Sequence, residues 1–311
     1  VGFLAESLMK FAAIDIGSNA ARMQISSVLK HPDSISFKKV EYVRFPLRLG
    51  LDVFRKGYIS SAKETEILKL LQAYKLLMEL HQVDDYMLLA TSAMRDAQNG
   101  KEIARRVKKE LDLDLQIISG DQESEIVNKG ILRIIDDKNY LHIDVGGGST
   151  EITLFSQKKP IVSKSFEVGS VRLLEKTVSD EMWKAMQHWV EKNIKDVVPK
   201  LTAVGIGGNI NKILELSKKK SKSLTIKEIE EVVQKISKYS LEELVNELEL
   251  NPDRADIIAP ASNVYLSVMK WAKIKEILVP GLGLKDGIME ILAEKYHLGK
   301  TTYHDIAIGE W

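Results

Sequence analysis

Apolar residues along this chain recur at every second position in short runs and at helical spacing in longer ones, and the two patterns alternate. Period-two runs cover residues 12–16 and 22–25, a further extended stretch covers 36–47, and 86–90 reads as a short buried strand. Ile67, Leu70, Leu71, Tyr74, Leu77 and Met78 share one face of a helix predicted over 60–81. A helix over 101–111 and a strand over 115–118 come next, and another helix opens near residue 121 with Ser119 or Asp121 as its cap. The pattern then restarts. Strands are predicted over 141–145, 150–154 and 160–168, a helix over 180–196 and a strand over 201–206. The remainder reads as mostly helical, with a strand over 276–279 and a closing helix. Strands and helices alternating in this way predict an α/β fold with a mixed sheet. The restart predicts two domains, 9–122 and 123–299, with 300–311 a candidate return to the first.

A strand-turn-strand pattern occurs twice, about half a chain apart. One copy runs Ala12-Ala13-Ile14-Asp15-Ile16-Gly17-Ser18-Asn19 and continues through Arg22 to Ile25. The other runs Leu141-His142-Ile143-Asp144-Val145-Gly146-Gly147-Gly148-Ser149-Thr150 and continues through Glu151 to Leu154. Each has an apolar strand ending in Asp, small and polar residues, then a returning strand. Small residues let backbone N–H groups approach a phosphate, and a carboxylate can hold a metal ion or its water. Facing loops of this kind predict a phosphotransfer or phosphohydrolase site built by duplication.

Composition narrows the picture. The chain has 311 residues, 44% hydrophobic and 29% charged, enough for two ordinary folded domains. A formal net charge of +1 argues against a general nucleic-acid binder, so an anionic substrate must be met by a local patch. The lack of Cys excludes disulfides, thiolate metal sites and a Cys nucleophile, and fits a reducing cytoplasm. No apolar run approaches the roughly 20 residues of a membrane span. Residues 1–8 lack the pattern of a secretory signal and are expected to be an upstream extension. The lysine-rich stretch 218–222 reads as a solvated loop in preference to a polyanion patch. His31, His81, His142, His188, His297 and His304 show no metal-ligand spacing, and His142 reads as a packed strand residue.

Taken in order, the motifs resemble those of the exopolyphosphatase / guanosine pentaphosphate phosphohydrolase (Ppx/GppA) family of the actin-like ATPase superfamily. The likeness rests on Asp15-Ile16-Gly17-Ser18-Asn19 with Arg22, on Thr91-Ser92-Ala93-Met94-Arg95-Asp96-Ala97, and on Ile118-Ser119-Gly120 with Glu123. It continues through residues 144–151, Gly169-Ser170-Val171-Arg172, the turn at 205–209 and Gly283-Leu284-Lys285-Asp286-Gly287. Any one of these is weak and their ordered set is specific. The resemblance implies two actin-like (ribonuclease H-like) domains with mixed sheets around an inter-domain cleft. It implies Glu123 as the general base that activates water, with Glu151 essential and metal-linked. Arg95, read as ending the buried strand behind small residues, is placed to reach the reacting phosphoryl group, with an inter-domain salt bridge as the alternative. Asp15, Asp144 and Glu151 are the candidate metal ligands, for Mg²⁺ or another divalent cation. Ser18, Asn19, Arg22, Gly146, Gly147, Gly148 and Ser149 are the candidate phosphate donors. Gly207, Gly208, Asn209 and Lys285 are the candidate substrate or nucleotide contacts.

The expected activity is release of terminal phosphate from inorganic polyphosphate or guanosine pentaphosphate, with a homodimer suggested by the same resemblance. Long family members carry further C-terminal domains, so a chain ending after the two-domain core is expected to favour short polyphosphates. Alternatives are an ATP-dependent kinase or ATPase of the same superfamily, and a non-catalytic sensor of polyphosphate or the alarmone. Two positions depart from the family pattern: Gln122-Glu123 where an acidic pair is usual, and Lys285-Asp286 where Arg-Glu is usual. The second replaces a guanidinium fork with a point charge and bears on substrate preference.

Overall fold

A computed structural model of the chain describes residues 8–195 and 200–301. The expectations for residues 1–7, for the end of the 180–196 helix and for 302–311, His304 included, fall outside the described residues. The first half opens with an antiparallel meander of β1 (Lys10–Ile16), β2 (Ala21–Lys30) and β3 (Ile35–Phe45). Next come α1 (Leu49–Lys56), α2 (Ser61–His81), β4 (Asp85–Ala90), α3 (Ser92–Asp96), α4 (Gly100–Leu111) and β5 (Leu115–Ile117). β4 joins β1 in parallel and β5 joins β4, giving a five-stranded sheet of order β3-β2-β1-β4-β5. From it α5 (Gly120–Ile131) leads into the second half.

There the meander repeats as β6 (Asn139–Val145), β7 (Thr150–Ser156) and β8 (Lys159–Phe166), followed by α6 (Ser170–Leu174) and α7 (Asp180–Asn193). The chain continues through β9 (Leu201–Ile206), α8 (Gly208–Leu216), β10 (Ser223–Thr225), α9 (Ile226–Ile236), α10 (Leu241–Asn246) and α11 (Pro252–Ala255). It closes with α12 (Ile258–Trp271), β11 (Glu276–Leu278) and α13 (Leu284–Lys295). The sheet order is β10-β11-β9-β6-β7-β8, with β9 parallel to β6 and β11 parallel to β9. Beyond the added β10, the second sheet repeats the topology of the first. That is a duplicated mixed-sheet α/β architecture of two similar halves.

Strand alternation sorts the side chains into three layers of core. Ala12, Ile14 and Ile16 pack outward with α2 and α4, and Leu141, Ile143 and Val145 pack outward with α8, α9 and α12. Phe11, Ala13, Tyr140 and Phe155 point the other way, into a core shared by both sheets. Two helices fill that middle layer. α13 lies on β1 and β4 of the first sheet, α5 lies on β7 and β8 of the second, and the two pack together. Their approach is close: a Cβ on Gly287 would stand 1.9 Å from the Ile126 carbonyl oxygen. The expected domain boundary at 122/123 therefore falls in the first turn of a helix sandwiched between the sheets. At the far end Thr301 bridges to Ile35 at the start of β3.

Candidate active site

Asp15 and Asp144 stand one residue before the ends of equivalent strands, and both point inward because they share parity with Ala13 and with Tyr140. Each is followed by the same turn: Gly17 N–H donates to the Ala20 carbonyl at 3.1 Å, and Gly146 N–H to the Ser149 carbonyl at 2.9 Å. Each Asp then faces a residue seven positions on, across the antiparallel pair. Asp15 faces Arg22, and Asp144 faces Glu151. The duplication has diverged at that position from cation to anion. Arg22 Nη1 donates to Asp15 Oδ2 at 2.9 Å. Asp144 stands opposite a carboxylate.

Electrostatics follow from this difference. Burial, then the charges of Glu151 and Asp15, push Asp144 up to about 7, against the pull of Arg22. Glu151 is 2% exposed; burial raises it, while hydroxyl donation from Ser149 and Ser165 and the charge of Arg95 oppose the rise. Ser165 Oγ donates to Glu151 Oε1 at 2.8 Å. Glu123 projects from the first turn of α5 toward the same carboxylates. Burial first, then Glu151, Asp144 and Asp15, raise it well above the ordinary carboxylate range, and Arg95 opposes them. Its Oε2 is buried without a hydrogen-bond partner among the described residues, 3.8 Å from Arg95 Nη1. Four acids thus share a buried space, each with its pKa raised chiefly by burial.

Two of these acids could hold a cation. Among the described residues no three acids or histidines are disposed to hold a metal by themselves. A two-carboxylate site completed by waters and phosphate oxygens suits Mg²⁺, and Asp144 with Glu151 is the pair least neutralised by the protein. Asp15 already shares its charge with Arg22.

The two loops meet directly above these acids. A Cβ on Gly147 would lie 2.9 Å from Ser18 Cβ and 3.5 Å from the Asn19 amide nitrogen, and one on Gly148 would overlap Ser92 Oγ. Ser18 Oγ and Ser92 Oγ share a 2.7 Å hydrogen bond. Gly207 has φ 101° and comes so close to Asp144 that a Cβ would stand 2.7 Å from Oδ1. A Cβ on Gly208 would lie 2.9 Å from Arg254 Nη2 and 3.7 Å from Arg22 Nη2. The 207–208 turn therefore belongs to the cleft, and Asn209 is buried behind it at the start of α8.

Some sequence expectations need refinement. Arg95 does not end a strand: it rides on the short helix α3, where Nη1 donates to the Ile118 carbonyl at 2.9 Å and lies beside Glu123. Ser119 caps α5, and Gln122, in place of the usual acid, closes the capping box: its Oε1 accepts from Ser119 N–H at 2.9 Å. Lys285 is positioned at the start of α13, where its ammonium pairs with Asp286 at 3.0 Å, and Asp286 packs against Gly130 near the opposite end of α5 from Glu123. Arg44, Asp253 and Arg254 were not singled out from the sequence, because 251–256 carries no motif of its own. Arg254 is held down to about 10 by burial and by the like charges of Arg44 and Arg22.

A family model described as the Ppx/GppA phosphatase family matches residues 27–295. Among curated proteins, the bifunctional 3-dehydroquinate synthase/phosphatase of Fusobacterium nucleatum is 28% identical over 291 residues, 84% of this chain and 43% of that protein. Exopolyphosphatase 1 of Mycobacterium tuberculosis is 26% identical over 177 residues, 56% of this chain and 50% of that protein. The chain thus spans half or less of the curated relatives it matches. Among solved structures, the Ppx/GppA family member of Aquifex aeolicus superposes with a TM-score of 0.73 at 25% identity, covering 92% of this chain and 99% of that one. An exopolyphosphatase from Cytophaga hutchinsonii has a TM-score of 0.78 at 22% identity over 94% of this chain and 100% of that one, a likeness of fold.

Proposed function

The chain belongs to the Ppx/GppA phosphatase family, and from that premise we propose that it is a hydrolase releasing terminal phosphate from inorganic polyphosphate or guanosine pentaphosphate with the help of a divalent cation. The observation that carries this reading is the convergence of Glu123 with Glu151, Asp144 and Asp15 beside the two repeated loops, which meet at Gly147 and Ser18. Hydrolysis of a phosphoanhydride needs a positioned water, a base, and neutralisation of the phosphoryl oxygens. Glu123 is the base. Its Oε2, buried without a hydrogen-bond partner among the described residues, takes the proton from the attacking water. Arg95, already beside Glu123, turns its fork to the phosphoryl oxygens.

Asp144 and Glu151 would hold the cation, with Asp15 close by and paired with Arg22. When bound, Mg²⁺ supplies charge to the phosphate oxygens and lowers the mutual repulsion of the acids. The amides and hydroxyls of Ser18, Asn19 and residues 146–149 line the chain, with Arg22 and the 207–209 turn beside it. The lack of Cys supports a place in the cytoplasm. Among the described residues no helix is long and apolar enough to cross a membrane.

The test is phosphate release from tripolyphosphate, longer polyphosphate, guanosine pentaphosphate and ATP, with Mg²⁺ and with chelator. Release from a phosphate chain or the pentaphosphate, lost with chelator, supports the reading. Phosphate passing from ATP to an acceptor other than water overturns it in favour of a kinase.

A further inference from the structure

Between the two halves lies a contact that uses phosphate-binding groups for something else. Asn19, in the first loop, donates Nδ2 to the Asp253 backbone carbonyl at 2.9 Å and to Asp253 Oδ2 at 2.8 Å. Arg44, on β3, places Nη1 3.2 Å from Asp253 Oδ1 and Nη2 2.5 Å from Oδ2. Asp253 is 4% exposed. A planar carboxylate from α11 therefore fills a fork of N–H donors contributed by the other half. That donor set is the kind that receives a phosphate group.

The surroundings are more cationic than one carboxylate requires. Arg22 and Arg254 converge on the Gly208 turn, and Arg44 adds its charge to theirs. With Asp253 withdrawn, Arg44 and Arg254 would lose the carboxylate they share, while Arg22 stays paired with Asp15. The pairing is also incomplete. Arg44 Nε and Asn19 Oδ1 are buried without partners among the described residues, as are Arg48 Nε and Asp256 Oδ1 beside them, although Arg48 pairs with Asp256 through its Nη2. Native interfaces rarely leave such atoms unpaired, so a cluster of them here calls for an explanation.

We propose that Asp253 is a carboxylate latch seated in a phosphate cradle: a phosphate group of the substrate, away from the bond being cleaved, takes its place between Arg44 and Asn19. The 251–256 turn gives way as the chain enters. The cost of displacing Asp253 reduces apparent affinity, because only the unlatched fraction can bind. This rests on the phosphohydrolase reading for the identity of the ligand, and the experiment separates the two.

Binding of pyrophosphate is measured by calorimetry, and phosphate release from tripolyphosphate by steady-state kinetics, for wild type, Asp253→Asn, Arg44→Gln and the double variant. Asp253→Asn is expected to lower both Kd and KM roughly fivefold, while Arg44→Gln raises them, although both break one ion pair. The double variant follows Arg44→Gln. Opposite signs distinguish a cradle from a clamp. Two singles shifting the same way, an Asp253→Asn variant that binds more weakly, or no pyrophosphate binding by any variant would overturn the latch. Hydrogen exchange on the wild type removes any dependence on the variants folding: exchange across 251–257 rises on adding pyrophosphate, and an unchanged or slower rate counts against the proposal. Correct binding signs without phosphate release leave the latch standing and remove the hydrolase. Release with the wrong signs does the reverse.

Discussion

Asp15 and Asp144 occupy the same position in two copies of one motif, and a single exchange across the strand pair separates their chemistry. Arg22 neutralises Asp15, whereas Glu151 repels Asp144. An acid whose pKa rises on folding, here from 3.8 to about 7, holds more protons folded than unfolded between those values. Its contribution therefore worsens as pH climbs through that window and is fully unfavourable above it. Thermal stability measured without divalent cations should show this fall, and Asp144→Asn should flatten it. Mg²⁺ at pH 8 should raise the Tm of the wild type and have little effect on Asp144→Asn. His142 has the opposite sign. Burial depresses it from 6.5 to about 3, so the folded state binds fewer protons and stability is lost as pH falls below 6.5. Both ring nitrogens are buried without partners among the described residues. Denaturant unfolding of His142→Leu should show a gain of about 1 kcal/mol at neutral pH and a smaller loss toward pH 4.

At the scale of elements, the paired strands and long helices were legible because each carries a sustained period. β1, β6 and β9 fall within a residue or two of their predicted spans, and so do α2 and α4. α3 and α6 are five residues each, too short for any period to register, yet α3 presents Arg95 and α6 carries Arg172. α1 escaped prediction too, entered through Arg48 at φ 53°. The position of Glu123 depends on the α5–α13 contact, which no local pattern encodes. Gly287→Ala would drive a Cβ into backbone at Ile126 and force the helices apart. Overpacking of this kind should cost roughly 1–3 kcal/mol in denaturant unfolding, and activity should fall with it. At Gly207, φ 101° and the nearby Asp144 leave no room for a side chain, so Gly207→Ala should abolish most activity while α13 packing is unchanged.

The whole molecule is two similar halves whose inward strand faces share one core, with α5 and α13 as its filling. The duplication could be read from two loops half a chain apart. The partners drawn together across the cleft could not, because Arg44 with Asp253, Arg55 with Glu175, and Arg172 with Asp96 are joined only by folding. Their ion pairs tie first-half elements to α11 and the neighbourhood of α6, and the acids lie enclosed between the halves. Enclosure explains why all four acids are raised together, and it is the ground on which cation and base are proposed to act as one unit. The most direct test of that unit is phosphate release from tripolyphosphate with Mg²⁺ by wild type and Glu123→Gln, with binding followed separately. The account predicts a loss of kcat of roughly 10²–10⁴-fold with binding retained. Release by Glu123→Gln at the wild-type rate would contradict it.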